Sequence, residues 1–251
     1  MNVKKNLNII RRKTEEKKSV PIFNSVNNHG QSEGFLNSFC QDPQNNHYFS
    51  GQSQLCPAQV EIFRQDTPAK AVYLVEQGLV KLVRITYAGD QVIVGLRRRN
   101  WLIGAPSILL GKQYSYTAIA VLPTVLRCIS KKSFLELVEN NVQFSLHIQR
   151  MLSENIYSQM RHRAETSFMS AQERLEFLLS DMIHDQEATD STIPNTFTLP
   201  LTNQELAQLI AISPEHLCRV LKGMEKKGLI RRDYGKVIVA NPSGFPQKSV
   251  D

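Results

Sequence analysis

Residues 201–227, LTNQELAQLIAISPEHLCRVLKGMEKK, read as two short helices joined by a turn tight enough to set the second helix in a groove of duplex DNA. Thr202 caps the first helix, and Glu205 completes a capping box, with Leu206, Leu209 and Ile210 as the apolar face. Ala207 is small where the helices must cross, and Ala211 and Ile212 form the turn. Ser213 is the next N-cap, and Pro214 takes the first helical position, where its missing N–H costs nothing. Leu217, Val220, Leu221 and Met224 recur at helical spacing, which leaves Glu215, His216, Arg219, Lys222 and Lys226 facing outward. An arginine can donate two hydrogen bonds to guanine, a glutamate can accept one from cytosine N4, and lysines can meet phosphate. The outer face therefore has the chemistry for reading bases.

The flanks extend this unit. TFTLPL (196–201) has the texture of a short strand, and GLIRRDYGKVIVANP (228–242) reads as strand, Tyr-Gly turn and strand. Such a hairpin is a wing, and Lys236, just after its turn, can reach a backbone phosphate. The chain's 251 residues are 41% hydrophobic, enough for two modest domains, and its net charge of +7 favours a polyanionic partner. No apolar run approaches the roughly 20 residues of a membrane span, and MNVKKNLNIIRRKTEEKK lacks the core of a signal peptide, so a cytoplasmic protein is expected. Cys40, Cys56, Cys128 and Cys218 are scattered, which points to neither a disulfide framework nor a zinc site.

Residues 1–45 mix Lys and Arg with Asn, Gln and Ser and read as a basic, disordered arm, with a short helix near Gly34 to Cys40. Residues 46–132 break into short strands: VEIFRQD (60–66), AVYLVEQGLVKLVRI around Gly78, and TYAGDQVIVGL with a turn at Ala88, Gly89 and Asp90. Their close spacing predicts a small antiparallel barrel or roll. Residues 133–168 are helical, and Phe144, Ile148, Met151, Leu152, Ile156, Gln159 and Met160 trace one face over several turns. A second copy of the chain is the expected cover for that stripe, packing on the roll being the alternative. Residues 169–251 hold the winged helix-turn-helix. The fold class is α+β: a double-stranded β-roll of the cupin or jelly-roll kind, a long dimerisation helix, and the winged domain.

This order of parts resembles the CRP/FNR family of bacterial transcription regulators from about residue 50 to 242. The matching segments are VYLVEQGLVKL (72–82), GDQVIVGL (89–96), ISKKSFLELVENN (129–141), residues 201–230 and GKVIV (235–239). The resemblance implies a homodimer that reads a palindromic site in double-stranded DNA and meets RNA polymerase; because the sequence carries no phosphate-binding Gly loop, acid–base pair or nucleophile constellation, no catalytic activity is expected. It implies that the recognition helix, 214–227, reads a TGA-type half-site through Glu215 and Arg219. His216 and Lys222 are expected to assist, and Thr202, Ser213 and Lys236 to anchor the backbone. The alternative is a roll protein whose DNA binding is non-specific or architectural.

Departures from the family pattern bear on the effector. Members that bind cyclic AMP carry Gly-Glu followed about ten residues on by Arg-Ser, whereas here Gly104-Ala105-Pro106 and Tyr114-Ser115-Tyr116 stand in those places. With carboxylate and cation both missing, tight cyclic AMP binding is not expected. Members with an iron–sulfur cluster need four thiolates, and only Cys40 and Cys56 lie near the N-terminus, so a cluster is not expected either. The effector stays open. Cys218 reads as a small side chain in a tight contact, a redox-sensitive thiolate being the alternative. Arg97, Arg98 and Arg99 read as a solvated turn, with an anionic effector or another domain's carboxylates as alternative partners. His147 and His162 read as surface or interface residues rather than haem ligands.

Overall fold

The short alternating runs pair into two four-stranded antiparallel sheets, because each presents one apolar face that only another sheet can cover. The strands are β1 (Gln54–Cys56), β2 (Glu61–Phe63), β3 (Ala71–Gln77), β4 (Val80–Ile85), β5 (Gln91–Arg97), β6 (Leu102–Ile103), β7 (Thr117–Ala120) and β8 (Thr124–Ser130). One sheet has the order β1-β8-β3-β6 and the other β2-β7-β4-β5, with Val72 opposite Ile129 and Lys81 opposite Ile119. Val72, Leu74, Val75, Val80, Leu82, Ile103, Ala118, Leu126 and Ile129 fill the space between them. Gly78 turns β3 into β4 at φ 99°, and a Cβ there would fall 2.7 Å from the Pro123 carbonyl, so no other residue fits. The computed structural model describes residues 33–87, 89–183, 197–233, 236–240 and 245. Ala88 and the Tyr234-Gly235 turn lie outside them, as do residues 1–32 of the expected arm.

The short helix expected within that arm is α1 (Glu33–Gln41), which buries Leu36, Phe39 and Cys40. A single turn, α2 (Ala105–Leu109), follows β6. Ser130 caps α3 (Lys131–Asn140) through the Ser133 amide at 3.1 Å, and Asn141 breaks the helical run by capping α4 (Val142–Thr166) through the Phe144 amide at 2.9 Å. The stripe on α4 then divides. Phe144, Ile148 and Met151 are at most 2% exposed against the roll and α1, whereas Ile156, Tyr157 and Met160 are 59–70% exposed. Packing on the roll, the alternative to cover by a second copy, holds for the first half of the stripe, while the second half is open in this chain. His147 is a correction of a different kind. It is buried, with its ring stacked on Phe35 at 4.8 Å. The His162 side chain lies outside the described residues.

Beyond α4 come α5 (Ala171–Ile183), β9 (Phe197–Thr198), α6 (Asn203–Leu209), α7 (Pro214–Lys226), β10 (Ile230–Asp233) and β11 (Lys236–Val239). Strands β10, β11 and β9 form the antiparallel wing, with Asp233 opposite Lys236. Leu175, Leu178, Leu179, Leu206, Leu217, Leu221 and Met224 share one core, and it continues into Leu79, Val83, Ile93, Leu96 and Val121 on the outer face of the roll. Two ion pairs flank this junction: Lys81 to Glu205 at 2.5 Å and Arg98 to Asp181 at 3.5 Å. The arginine run is therefore no solvated turn. Arg97 and Arg98 are each 8% exposed, Arg99 alone lies at the surface, and Arg98 meets the carboxylate of another domain, the reading held as second choice.

Candidate nucleic-acid interface

Local chemistry builds the two helices as their residue types require. Thr202 and Glu205 form a full capping box: the Glu205 amide donates to Thr202 Oγ1 at 3.2 Å, and the Thr202 amide donates to Glu205 at 2.7 Å. Ala211, at φ 57°, carries the chain out of α6, and the Ile212 amide donates to the Ala207 carbonyl at 3.0 Å. Ser213 then caps α7 through the His216 amide at 3.2 Å, with Pro214 next. Leu217, Leu221 and Met224 are fully buried, which fixes the roll of α7 about its axis. Each contributes roughly 1.5 to 3 kcal/mol of apolar burial. Val220 is half-buried beside them.

The opposite face of α7 carries Glu215, His216, Arg219, Lys222 and Lys226, all exposed. Hydrogen bonds from the Ser213 hydroxyl and from its own backbone amide, with Arg219 one turn on, hold the Glu215 carboxyl below the ordinary value of 4.5. It stands ionised, an acceptor beside a guanidinium donor. Lys236 is exposed at the first position of β11. Thr202 is exposed too, but its hydroxyl donates to Glu205 at 2.9 Å. The expected residues thus form a reading pair with basic neighbours on α7, a wing cation, and a cap already engaged within its own helix. Cys218 is exposed and free on this same face.

Two contacts went unread in the sequence. Glu225, at the end of α7, accepts from Arg232 of β10: Nη2 and Nε both donate to its Oε2, at 2.6 and 3.0 Å, and the Arg232 amide donates to Oε1 at 3.2 Å, tying the wing to the recognition helix. Glu205 pairs with Lys81 in the wall of a cleft of about 550 Å³ between the β4–β5 hairpin and α6, which Asp90, Gln91, Gln204 and Gln208 also line. Burial raises the Glu205 carboxyl, yet bonds from Lys81 and from the Thr202 amide and hydroxyl outweigh that and hold it below 4.5. Neither pair has a spacing signal, since Lys81 and Glu205 are 124 positions apart.

With this geometry in view, residues 54–141 match the family model of the cyclic nucleotide-binding domain and residues 173–245 that of the Crp-like helix-turn-helix domain. The chain belongs to the CRP/FNR family of transcription regulators. It is 29% identical to the global nitrogen regulator of Synechococcus elongatus over 74% of this chain and 85% of that one. To the cyclic AMP receptor protein of Thermus thermophilus it is 26% identical, over 75% and 83%. The structure of FixK2 from Bradyrhizobium japonicum shares the fold at a TM-score of 0.64, with 18% identity, 79% of this chain covered and 98% of the other. Like its CRP/FNR relatives the chain is a DNA-binding transcription regulator and not an enzyme.

The first family description raises the question of a cyclic nucleotide, and the residues present do not fit one. Ala105, in the place of the family's glutamate, is fully buried. A Cβ on Gly104 would lie 3.0 Å from the Tyr114 ring, which stacks on Phe63 at 3.9 Å. The Tyr114 hydroxyl donates to the Ala71 carbonyl at 2.6 Å, so aromatic side chains occupy the segment that would cradle a ribose and phosphate. Cys40 is buried, Cys56 and Cys128 are half-buried, and among the described residues no group of three or more His, Cys, Asp or Glu could hold a metal. No described helix is long and apolar enough to cross a membrane.

Proposed function

We propose that this CRP/FNR regulator acts in the cytoplasm as a homodimer that reads a palindromic site in double-stranded DNA, with α7 of each protomer in successive major grooves. The carrying observation is the exposed Glu215 and Arg219 pair, one turn apart on a helix whose opposite face is buried. Arg219 takes a guanine edge, Glu215 a cytosine amino group, and His216 and Lys222 assist at base edges or phosphates. Ser213, Thr202 and Lys236 sit where the backbone passes. Because the Thr202 hydroxyl is held by Glu205, its part is to keep the N-terminus of α6 in place.

The exposed Ile156, Tyr157 and Met160 support the dimer. An apolar face this open on a helix otherwise packed against its own roll is the kind of patch a second copy covers. RNA polymerase is the partner expected of a regulator bound near a promoter, and the effector is a molecule other than cyclic AMP. Selection from a pool of random duplexes by the purified protein tests the reading. A two-fold symmetric consensus with half-sites about one helical turn apart is the expected result. Enrichment without a motif, with a steep salt slope, would instead assign the chain an architectural role.

A further inference from the structure

Arg231 and Arg232 are neighbours on β10, and strand alternation sends them to opposite faces of the wing. Arg231 is exposed, whereas Arg232 folds back onto α7 and meets Glu225. The two oxygens of that carboxylate divide the work. Oε2 takes the guanidinium through Nη2 and Nε, and Oε1 takes the Arg232 amide. This amide belongs to an edge strand, since the wing has the order β10-β11-β9 and no described strand lies beyond β10. Glu225 therefore offers the wing's open edge the acceptor that a further strand would supply. The Glu225 carbonyl also accepts from the Gly228 amide at 3.0 Å, in the turn that leads from α7 to β10. A single residue thus holds the connection at its start and the wing at its first strand.

Stability alone is a poor reason for this pair. The side chains of Arg232 and Glu225 are 32% and 35% exposed, and an ion pair so open to solvent adds little to a fold. What the three bonds fix is direction. A guanidinium edge and a peptide N–H from the same residue meet one carboxylate only if β10 crosses α7 at a set angle. Lys236 stands across the hairpin from Asp233, the residue after Arg232, so that angle decides where the wing cation lies relative to Glu215 and Arg219. Bonding to Arg232 also holds the Glu225 carboxyl below its ordinary 4.5, which keeps the clamp closed at neutral pH. We propose that Arg232 is a positioning residue for DNA binding: clamped to Glu225, it sets the wing so that Lys236 meets a backbone phosphate while α7 is seated in the major groove, and it does not itself touch DNA. The inference rests on the phosphate contact proposed above for Lys236 and adds what holds that contact in place.

Glu225→Ala is the decisive variant, because it makes the protein more positive. On charge alone it should bind any duplex more tightly, whereas loss of the clamp should weaken binding. Affinities of the full chain for specific and scrambled duplexes, measured across salt concentrations, read the difference. Glu225→Ala and Arg232→Met are each expected to weaken both duplexes several-fold and to lower the salt slope by about one, as Lys236→Ala does. Adding Lys236→Ala to Glu225→Ala should cost less than about twofold more, because the contact is already lost. The ratio between the duplexes should stay at its wild-type value, and Glu225→Gln, which keeps an acceptor, should fall between. Far-ultraviolet melting should show every variant folded at the temperature of the binding assay. Glu225→Ala binding as tightly as the wild type or more so, with Arg232→Met weakened, would make Arg232 a direct contact and overturn the proposal. Losses that add in full between Glu225→Ala and Lys236→Ala overturn it too. A Lys236→Ala that binds like the wild type removes the wing contact itself and the clamp's role with it. A wild type with no preference between duplexes sinks the sequence-reading proposal instead, and leaves the clamp standing on its salt slope.

Discussion

At the scale of single residues, specificity and affinity are separable because different side chains carry them. Arg219 faces outward from the middle of α7, and Arg219→Ala should cost roughly 1 to 3 kcal/mol of discrimination at one guanine while binding to scrambled duplex changes little. Lys236 stands at the wing, and Lys236→Ala should weaken all duplexes alike and lower the salt slope by about one. Competition titrations of each variant against specific and scrambled duplexes at several salt concentrations check both. Equal losses on both duplexes for Arg219→Ala would remove its reading role. What the sequence made legible at this scale is what is local: a cap and its acid three residues apart, a proline at the first helical position, an apolar repeat that leaves one face free. The arginine run was not legible. Three identical neighbours acquire separate roles only from where the fold sets each: in the roll interior, against Asp181, or at the surface.

Among the elements, α4 shows why periodicity alone underdetermines function. Its stripe is continuous in sequence, since apolar residues at helical spacing announce a covered face but carry no mark of what covers it. The cover changes part-way along because the roll and α1 end, leaving Phe144, Ile148 and Met151 sealed and Ile156, Tyr157 and Met160 open. Met160→Glu in the open half should therefore dissociate the dimer while leaving monomer stability within about 0.5 kcal/mol, as for an exposed site. Met151→Glu in the sealed half should unfold the N-terminal unit, because it buries an unpaired charge. Sedimentation equilibrium and far-ultraviolet melting of the two variants separate the halves. A wild type that sediments as a monomer, or an unchanged mass for Met160→Glu, would remove the open half from the interface. The wing adds a second lesson. Its hairpin was legible from alternation and turn residues, but the clamp from Glu225 to Arg232 that orients it on α7 was not, because it joins two elements whose angle the sequence does not state.

Over the whole molecule, the apolar core runs without a break from the outer face of the roll into the winged domain, so the position of α7 is set by the roll as well as by its own helix pair. That continuity could not be read from segments, each of which looked self-sufficient. The ion pair from Lys81 to Glu205 stands at the cleft edge of this junction with side chains 12% and 15% exposed, screened enough from water to count. Glu205 is held below its ordinary 4.5 in the folded protein, despite the opposing effect of burial, so the unfolded chain binds its proton first. Its contribution is fully present above 4.5 and is lost as the pH falls through the lower, folded value. The wild type should accordingly melt above Glu205→Gln at neutral pH, with the gap closing only below pH 4.5. Lys81→Met should narrow the gap at neutral pH by removing one of the bonds that lower the carboxyl, while the Thr202 bonds keep part of it. Melting curves of the three proteins over that pH range decide the matter. A gap that persists unchanged well into acid, or one that Lys81→Met leaves untouched, would mean that the junction is held by its apolar core alone.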